Sequence, residues 1–261
     1  MSDLQNLPMS LDVSHHNGTI DWLKVASQKP ACVFLKATER QWTDPMFERN
    51  RRACADLGLA WVPYVFLRPD DTHRTAQYFL DLIGDPTVPA ALDWEADGVP
   101  ASVVEMWIAA MPRLPVAYYG LIPPGAATNL IGKCPRWYPQ YPGSATAAPR
   151  LPMWDGSANP DWRKCWLAWQ WTDKGRLDGI SGSVDLNRLA CTAEQFAAWY
   201  ATGDFGASLP NVPKPTPIPD ADNPDWHIRE AQRLLDLVED GDCGPITRAA
   251  AARWRATHPA S

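Results

Sequence analysis

The apolar run Val88-Pro-Ala-Ala-Leu ends in Asp93-Trp94-Glu95 and passes into the polar string Ala-Asp-Gly. On a strand, successive side chains alternate faces, so Asp93 and Glu95 share one face and Trp94 takes the other. A rise near 3.3 Å per residue sets their Cα atoms about 6.7 Å apart. Two carboxyls so spaced suit a glycosidic bond held between them: one donates a proton to the leaving oxygen, the other supports positive charge at the anomeric carbon. Like charges at close range also raise one pKa, keeping one carboxyl protonated near neutral pH. Asp-x-Glu alone is a short motif that also opens ordinary polar loops. It has company here: Asp12 closes the apolar run Met-Ser-Leu-Asp, and Asp185 sits in Val184-Asp-Leu-Asn187. Three separate strands then deliver acids to one end of a sheet.

Other chemistries find less support. His15 and His16 are adjacent and would point to opposite faces of a strand, and His73, His227 and His258 show no ligand spacing such as HExxH. No metal and no cofactor is expected. GxSxG is absent, which removes the usual serine-nucleophile elbow. The six cysteines (Cys32, Cys54, Cys134, Cys165, Cys191, Cys243) show neither CxxC nor zinc spacing. Cys32 lies in an apolar run and Cys54 on an expected helix, so reduced, buried thiols are expected.

Acids on three strands need a scaffold that gathers strand ends. Strands are expected at Leu11–Ser14, Cys32–Thr38, Trp61–Leu67, Val88–Glu95, Val116–Gly120, Trp137–Tyr141, Cys165–Trp171 and Ser183–Leu186. Helices are expected at Trp22–Ser27 after Asp21, at Asp44–Leu57 opening on Asp-Pro and closing on Gly58, and at Thr72–Ile83, Ser102–Met111 and Ala193–Thr202. Repeated strand–helix units imply a mainly parallel sheet. The stretch Tyr119–Trp171 is rich in Pro, Gly and Trp and lacks helical periodicity. The fold class expected is therefore α/β, an irregular (β/α) barrel of eight strands with fewer than eight helices. In such a barrel the C-terminal strand ends carry the active site. An open dinucleotide-binding sheet is the rival, but no GxGxxG follows any strand.

Composition bounds the partners. At 261 residues, 46% hydrophobic, the chain can bury a large core. A net charge of -6 argues against nucleic acid, which needs a basic face. Fourteen Trp is high for this length, and flat rings suit sugar faces, although packing alone accounts for most of them. No run is long enough to span a membrane, and Met1 to Ser10 lacks the basic and apolar regions of a signal peptide. Synthesis in a cytoplasm without a leader is expected. Pro210, Pro213, Pro215, Pro217, Pro219 and Pro224 mark 204–224 as an extended linker, reaching on the order of 60 Å if fully polyproline-like. It would separate a domain over 1–203 from a small helical module over 225–261.

Read in order, the motifs resemble the glycoside hydrolase family 25 muramidases, over roughly residues 10 to 202. Leu11-Asp-Val-Ser-His-His-Asn-Gly18 is similar to the family's opening, and Phe34-Leu-Lys-Ala-Thr-Glu39 to its second strand. Asp44, Phe47 and Asn50 match the helix that follows, and Gly58 precedes the next strand. Tyr64-Val-Phe66, Asp93-Trp-Glu95, Tyr118-Tyr-Gly120, Trp137 with Tyr141, Trp169-Gln-Trp171 and Val184-Asp-Leu-Asn187 then follow in the family's sequence. Val65 replaces a frequent histidine, and Asn17 stands where glutamine is usual.

The resemblance implies hydrolysis of the β-1,4 bond between N-acetylmuramic acid and N-acetylglucosamine in peptidoglycan. It implies Glu95 as general acid, and Asp93 as stabiliser of the oxocarbenium ion, either as nucleophile or by steering the substrate's acetamido group. Asp12 and Asp185 would set charge and position. Tyr64, Trp137, Trp169, Tyr119 and Phe66 would line the sugar cleft. The tail resembles part of a peptidoglycan-binding helical module, through Gln232, Asp240, Gly244, Thr247 and Trp254.

A monomeric phage endolysin follows as the expected setting, made in the host cytoplasm and reaching the wall through holin-type lesions. A virion-associated lysin is its variant. A catalytically inactive wall binder on the same barrel is opposed by the presence of all four acids. An amidase would need zinc ligands, and a chitinase-like barrel would need acids at Val88 and Ala91.

Overall fold

The computed structural model describes residues 7–111 except 86, then 113, 116–119, 136–139, 141 and 166–202 except 190. At 117–119, 136, 138 and 166 it describes the backbone alone. Among these residues the fold is mixed α/β, nine strands with five α-helices. The strands are β1 (Met9–Val13), β2 (Cys32–Glu39), β3 (Trp42–Thr43), β4 (Trp61–Phe66), β5 (Ala91–Trp94), β6 (Val116–Tyr119), β7 (Arg136–Pro139), β8 (Trp166–Gly175) and β9 (Val184–Leu189). The helices are α1 (Trp22–Ser27), α2 (Phe47–Asp56), α3 (His73–Ile83), α4 (Ala101–Ala110) and α5 (Ala193–Thr202). None of them is long and apolar enough to cross a membrane.

The strands form one curled sheet in the order β1-β9-β8-β7-β6-β5-β4-β2-β3, and β1 pairs with β2 as well. Pairing is parallel from β1 through β2, β4, β5, β6 and β7 to β8. It is antiparallel where β9 meets β8 and β1, and where β3 folds back on β2. The reversal of β9 matters for function. Asp185, near the start of β9, is the register partner of Asp12, near the end of β1. An antiparallel strand thus brings its beginning to the end of the sheet where the parallel strands finish.

Strand alternation divides the core in two. Cys32, Phe34, Val62, Tyr64, Ala91, Val116, Trp137 and Leu189 point to one face and pack together. Val33, Leu35, Val65, Leu92 and Trp94 point to the other, against Phe79, Val104 and Trp107 of α3 and α4. Most helix starts are set by local capping. The Asp21 carboxylate accepts from the Lys24 amide, and Thr72 and Thr75 form a reciprocal box, with Gly84 at φ 72 ending α3. Helix α2 departs from expectation. It starts at Phe47, not at the Asp-Pro pair, because Asp44 caps a preceding turn through the Met46 amide and spends its other oxygen on His15. The short β3 was not anticipated from sequence: two residues carry no readable period. Linker 204–224, module 225–261, and with them Gln232, Asp240, Gly244, Thr247 and Trp254, lie outside the described residues.

Candidate active site

Asp93 lies on β5 in register with Phe66 of β4 and Tyr118 of β6, on the same face as Ala91. Trp94 takes the opposite face, where its indole N–H donates to the Val99 carbonyl at 3.1 Å. The strand ends there, so Glu95 sits just past it, exposed at the mouth, while Asp93 is 8% exposed beneath. The acids expected on one face are therefore stacked in depth, one at the rim and one below.

Asp12 is buried beside them. Its carboxyl accepts from Gln170 Nε2 at 3.1 and 3.0 Å and from Asn187 Nδ2 at 2.9 Å. The same Gln170 nitrogen reaches Asp185 Oδ2 at 3.2 Å. Its carbonyl oxygen accepts from the Tyr141 hydroxyl at 2.7 Å, and this fixes the amide with its donor toward the acids. Asn187 Oδ1 in turn accepts from Trp137 Nε1 at 2.7 Å. Trp137 stacks on Phe34 with ring centroids 4.3 Å apart and meets Tyr64 edge-on at 5.8 Å. A buried aromatic floor thus orients an amide, which orients a carboxyl.

The electrostatics follow from this crowding. Burial pushes Asp93 well above the ordinary carboxyl range, and Glu95, Asp12 and Asp185 push the same way against the Lys36 ammonium. Burial, then the Asp185 charge, raises Asp12. Desolvation leads at Glu95 too, although the residue is exposed, because the rim still withdraws water from its carboxyl. Asp185 adds to the rise, while Lys36 and Arg68 oppose it. Asp185 is raised mainly by burial and relieved by a hydrogen bond from Asp12, the pattern of a carboxyl donating to a carboxylate. Protons are held by the four acids as a set. The mouth keeps protons that separate carboxyls would release.

One wall is cationic and braced. Lys36 Nζ meets Glu39 Oε2 at 3.0 Å, and Arg68 Nη2 meets Glu39 Oε1 at 2.6 Å. Burial would raise Glu39, but the hydrogen bonds from Arg68 and Lys36 outweigh it and hold this carboxyl low. Lys36 and Arg68 also lie 4.7 and 4.6 Å from the centroid of the Phe66 ring. A register shift between β2 and β4 falls between Lys36 and Thr38, a bulge at the point where the strand enters the mouth.

The expected cleft residues separate accordingly. Tyr64 is 7% exposed and belongs to the floor with Trp137, which is 1% exposed. Phe66 is half-buried at the mouth between its two cations. Tyr119 pairs with Trp94 through its backbone, and its side chain lies outside the described residues. Trp169 is placed differently from the other expected cleft residues. It is fully buried, and its register partner is Arg188, whereas Gln170 faces the acids opposite Asn187. Neighbours on a strand take opposite faces, so Trp169 turns away from the mouth.

Among the described residues no group of three or more His, Cys, Asp and Glu is placed to hold a metal ion. Cys32, Cys54 and Cys191 are buried free thiols.

Comparison with known proteins gives this geometry a family. The model of glycosyl hydrolases family 25 matches residues 11–120. The YegX protein of Escherichia coli O157:H7 is 32% identical over 212 residues, covering 72% of each chain. The chain belongs to glycosyl hydrolase family 25. Lysozyme M1 of Streptomyces globisporus is 28% identical over 215 residues, covering 72% of this chain and 69% of that one. The bacterial lysozyme of Streptomyces coelicolor superposes with a TM-score of 0.60 at 23% identity, over 76% of this chain and 99% of that one. This family 25 glycosyl hydrolase is thus a glycoside hydrolase of the lysozyme type.

Within the family 25 site, residues beyond the four acids emerge from the structure. Asn187 stands two residues after Asp185, so strand alternation alone would have placed it on the same face. Gln170 sat inside Trp169-Gln-Trp171, where the tryptophans drew attention. Lys36 and Glu39 lie in Phe34-Leu-Lys-Ala-Thr-Glu39, and Arg68 carries no sequence signal at all.

Proposed function

We propose that this enzyme is an endolysin-type muramidase that hydrolyses the β-1,4 bond between N-acetylmuramic acid and N-acetylglucosamine in peptidoglycan. The observation that carries the reading is the pairing of an exposed Glu95 with a buried Asp93 below it, flanked by the Asp12–Asp185 pair. Glu95, at the open rim, donates its proton to the glycosidic oxygen as the bond to the anomeric carbon breaks. Asp93 supports the positive charge that develops there, and that cation, with the Lys36 ammonium, favours the ionised form that burial opposes. A water then gives its proton to the Glu95 carboxylate and its oxygen to the anomeric carbon. Burial and the Asp185 charge raise Glu95, which favours the protonated form a general acid needs.

The similarity to Lysozyme M1 supports the substrate class. The ring of pairings β1-β9-β8-β7-β6-β5-β4-β2, returning to β1, is read as the irregular eight-stranded barrel of this family. The Pro-rich 204–224 and the helical pattern of 225–261 fit a wall-binding module on a spacer, through Gln232, Asp240, Gly244, Thr247 and Trp254. Release of phage progeny by host lysis, as a monomer delivered through membrane lesions, is the setting that best joins these features.

Mass spectrometry of digested peptidoglycan tests the reaction. New reducing ends on N-acetylmuramic acid are expected. Reducing ends on N-acetylglucosamine, or free stem peptides, would replace the muramidase reading by a glucosaminidase or an amidase.

A further inference from the structure

Beside the acids lies a second feature, most of whose lining takes no part in the reaction. An open groove of ≈ 610 Å³ is lined by His15, His16, Lys36, Glu39, Arg40, Gln41 and Trp42. It runs between the β2–β3 hairpin and the 3-10 turn at His15–Asn17. We propose that this groove is a distal saccharide subsite that holds sugar units away from the scissile bond, with Trp42 as its stacking platform. The inference rests on the muramidase reading and extends it to where the glycan strand runs.

Trp42 is 45% exposed, on a strand of two residues. Leaving so much indole in water is unfavourable, yet the hairpin that presents it is firmly held. Arg40 takes the left-handed φ of 53 that a bare side chain disfavours, and its guanidinium is anchored on Asp70 at 2.8 Å. Thr43 Oγ1 and the Tyr78 hydroxyl meet at 2.7 Å. Across the groove, His15 meets Trp42 edge-on with centroids 5.3 Å apart. Buried Asp44 fixes His15 twice, through its backbone N–H at 3.0 Å and ring Nδ1 at 2.7 Å. His16 packs on His15 at 4.0 Å. The aromatic surface is therefore preorganised before any ligand arrives.

The chemistry of the lining suits the neutral N-acetylglucosamine rings of the strand over an anionic group. Both cations already hold carboxylates, Lys36 on Glu39 and Arg40 on Asp70. A further anion would have to compete with those pairs. A sugar instead offers an apolar face to the indole and hydroxyls to the Gln41 amide and the imidazole edges. The groove is continuous with the mouth, because Lys36 and Glu39 line it and brace the catalytic wall at once. Its volume lies within the ≈ 300–1,000 Å³ of small-ligand sites.

The test uses the full-length Glu95→Gln chain, which cannot turn over, and calorimetric titration with peptide-free glycan from peptidoglycan. Adding Trp42→Ala is expected to weaken octasaccharide binding roughly three- to tenfold, while disaccharide binding stays within about twofold. Trp42→Phe should recover most of the loss. Equal weakening for both lengths, or none, overturns the subsite. A loss seen only with strands that retain stem peptides overturns it in favour of a peptide groove. Hydrolysis of the same octasaccharide by the unsubstituted chain reports separately on the muramidase reading. Cleavage with unchanged Trp42→Ala binding sinks the subsite alone, and Trp42-dependent binding without cleavage sinks the catalytic reading alone. No binding and no cleavage sinks both.

Discussion

Asp12 and Asp185 face each other as register partners across the antiparallel β1–β9 pair, and one nitrogen of Gln170 donates to both carboxyls, at 3.0 Å to Asp12 and 3.2 Å to Asp185. Two acids so placed repel unless a proton or a donor lies between them. Here the amide donates to both. Burial raises both carboxyls and the Asp185 charge adds to the rise at Asp12, so the pair holds protons more tightly than separate acids would. Asp185 in turn places negative charge near Glu95 and raises that carboxyl, after burial.

Asp93→Asn should abolish activity and stabilise the fold. The native carboxyl is raised well above its ordinary value near 4, chiefly by burial, so the native state binds more protons than the unfolded chain above that pH. Stability associated with this group is thus full below about pH 4 and falls as pH rises toward the native pKa. The neutral amide escapes that loss. In thermal melts the variant should gain on the parent from about pH 4 upward and match it in stronger acid. A gain that shrinks as pH rises would contradict the burial argument.

Lys36→Met should move the pH profile of kcat/KM upward. The Lys36 ammonium draws both Asp93 and Glu95 down. Removing it raises both, while Arg68 keeps Glu39 in place. The alkaline limb reports loss of the proton from the general acid, and it shifts to higher pH. A downward shift, or none, would mean that Lys36 braces the wall without acting on the acids.

Trp137→Phe tests the chain from floor to carboxyl. The ring stacking on Phe34 largely survives, but Asn187 Oδ1 loses its indole donor. An orphaned buried acceptor costs about 1–3 kcal/mol. Freed to turn, Asn187 holds Asp12 less well, so kcat should fall while KM changes little. Chemical denaturation and steady-state kinetics on soluble fragments read the two effects. A lower stability with unchanged kcat would make Trp137 a packing residue alone.

Removing residues 204–261 should weaken binding to insoluble walls roughly tenfold, through lost bivalency, and leave turnover of soluble fragments within about twofold. Cosedimentation with purified walls and reducing-end assays check it. Equal losses on both would show that the tail supports the catalytic domain.

Much of this site was legible in the sequence because strand alternation is strict. Asp93 and Trp94 fell on opposite faces as read, and Asp12 and Asp185 came together because the apolar runs containing them are true strands. All eight expected strands appear, with ends moved by a few residues. What escaped was contact at long range. Arg68 reaches Glu39 and Gln170 reaches Asp12 over 29 and 158 residues, and no local pattern records such pairs. The face that Trp169 takes is not legible for a related reason. An aromatic beside a motif looks functional until the register shows which face it takes. Glu95 illustrates a finer limit, since the strand ends before it and depth at the mouth depends on where a strand stops.

The reversal of β9 also shapes the rim. Because β8 and β9 join as a hairpin, residues 176–183 leave the sheet at the mouth and fold onto α1, with Leu177 and Ile180 buried beside Trp22 and Val25. That turn is tied down: the Asp21 amide donates to the Gly179 carbonyl at 2.8 Å, Gln28 Nε2 to the Asp178 carbonyl at 2.8 Å, and Asn17 Nδ2 to the Ser183 carbonyl at 3.2 Å. Gly179 itself leaves no room for a side chain, since a Cβ would stand 2.5 Å from the Asp21 carbonyl oxygen. This edge of the entrance is a sill with no hinge. A stiff polymer can slide in from the side and meet a shape already set, and little ordering entropy is lost there on capture.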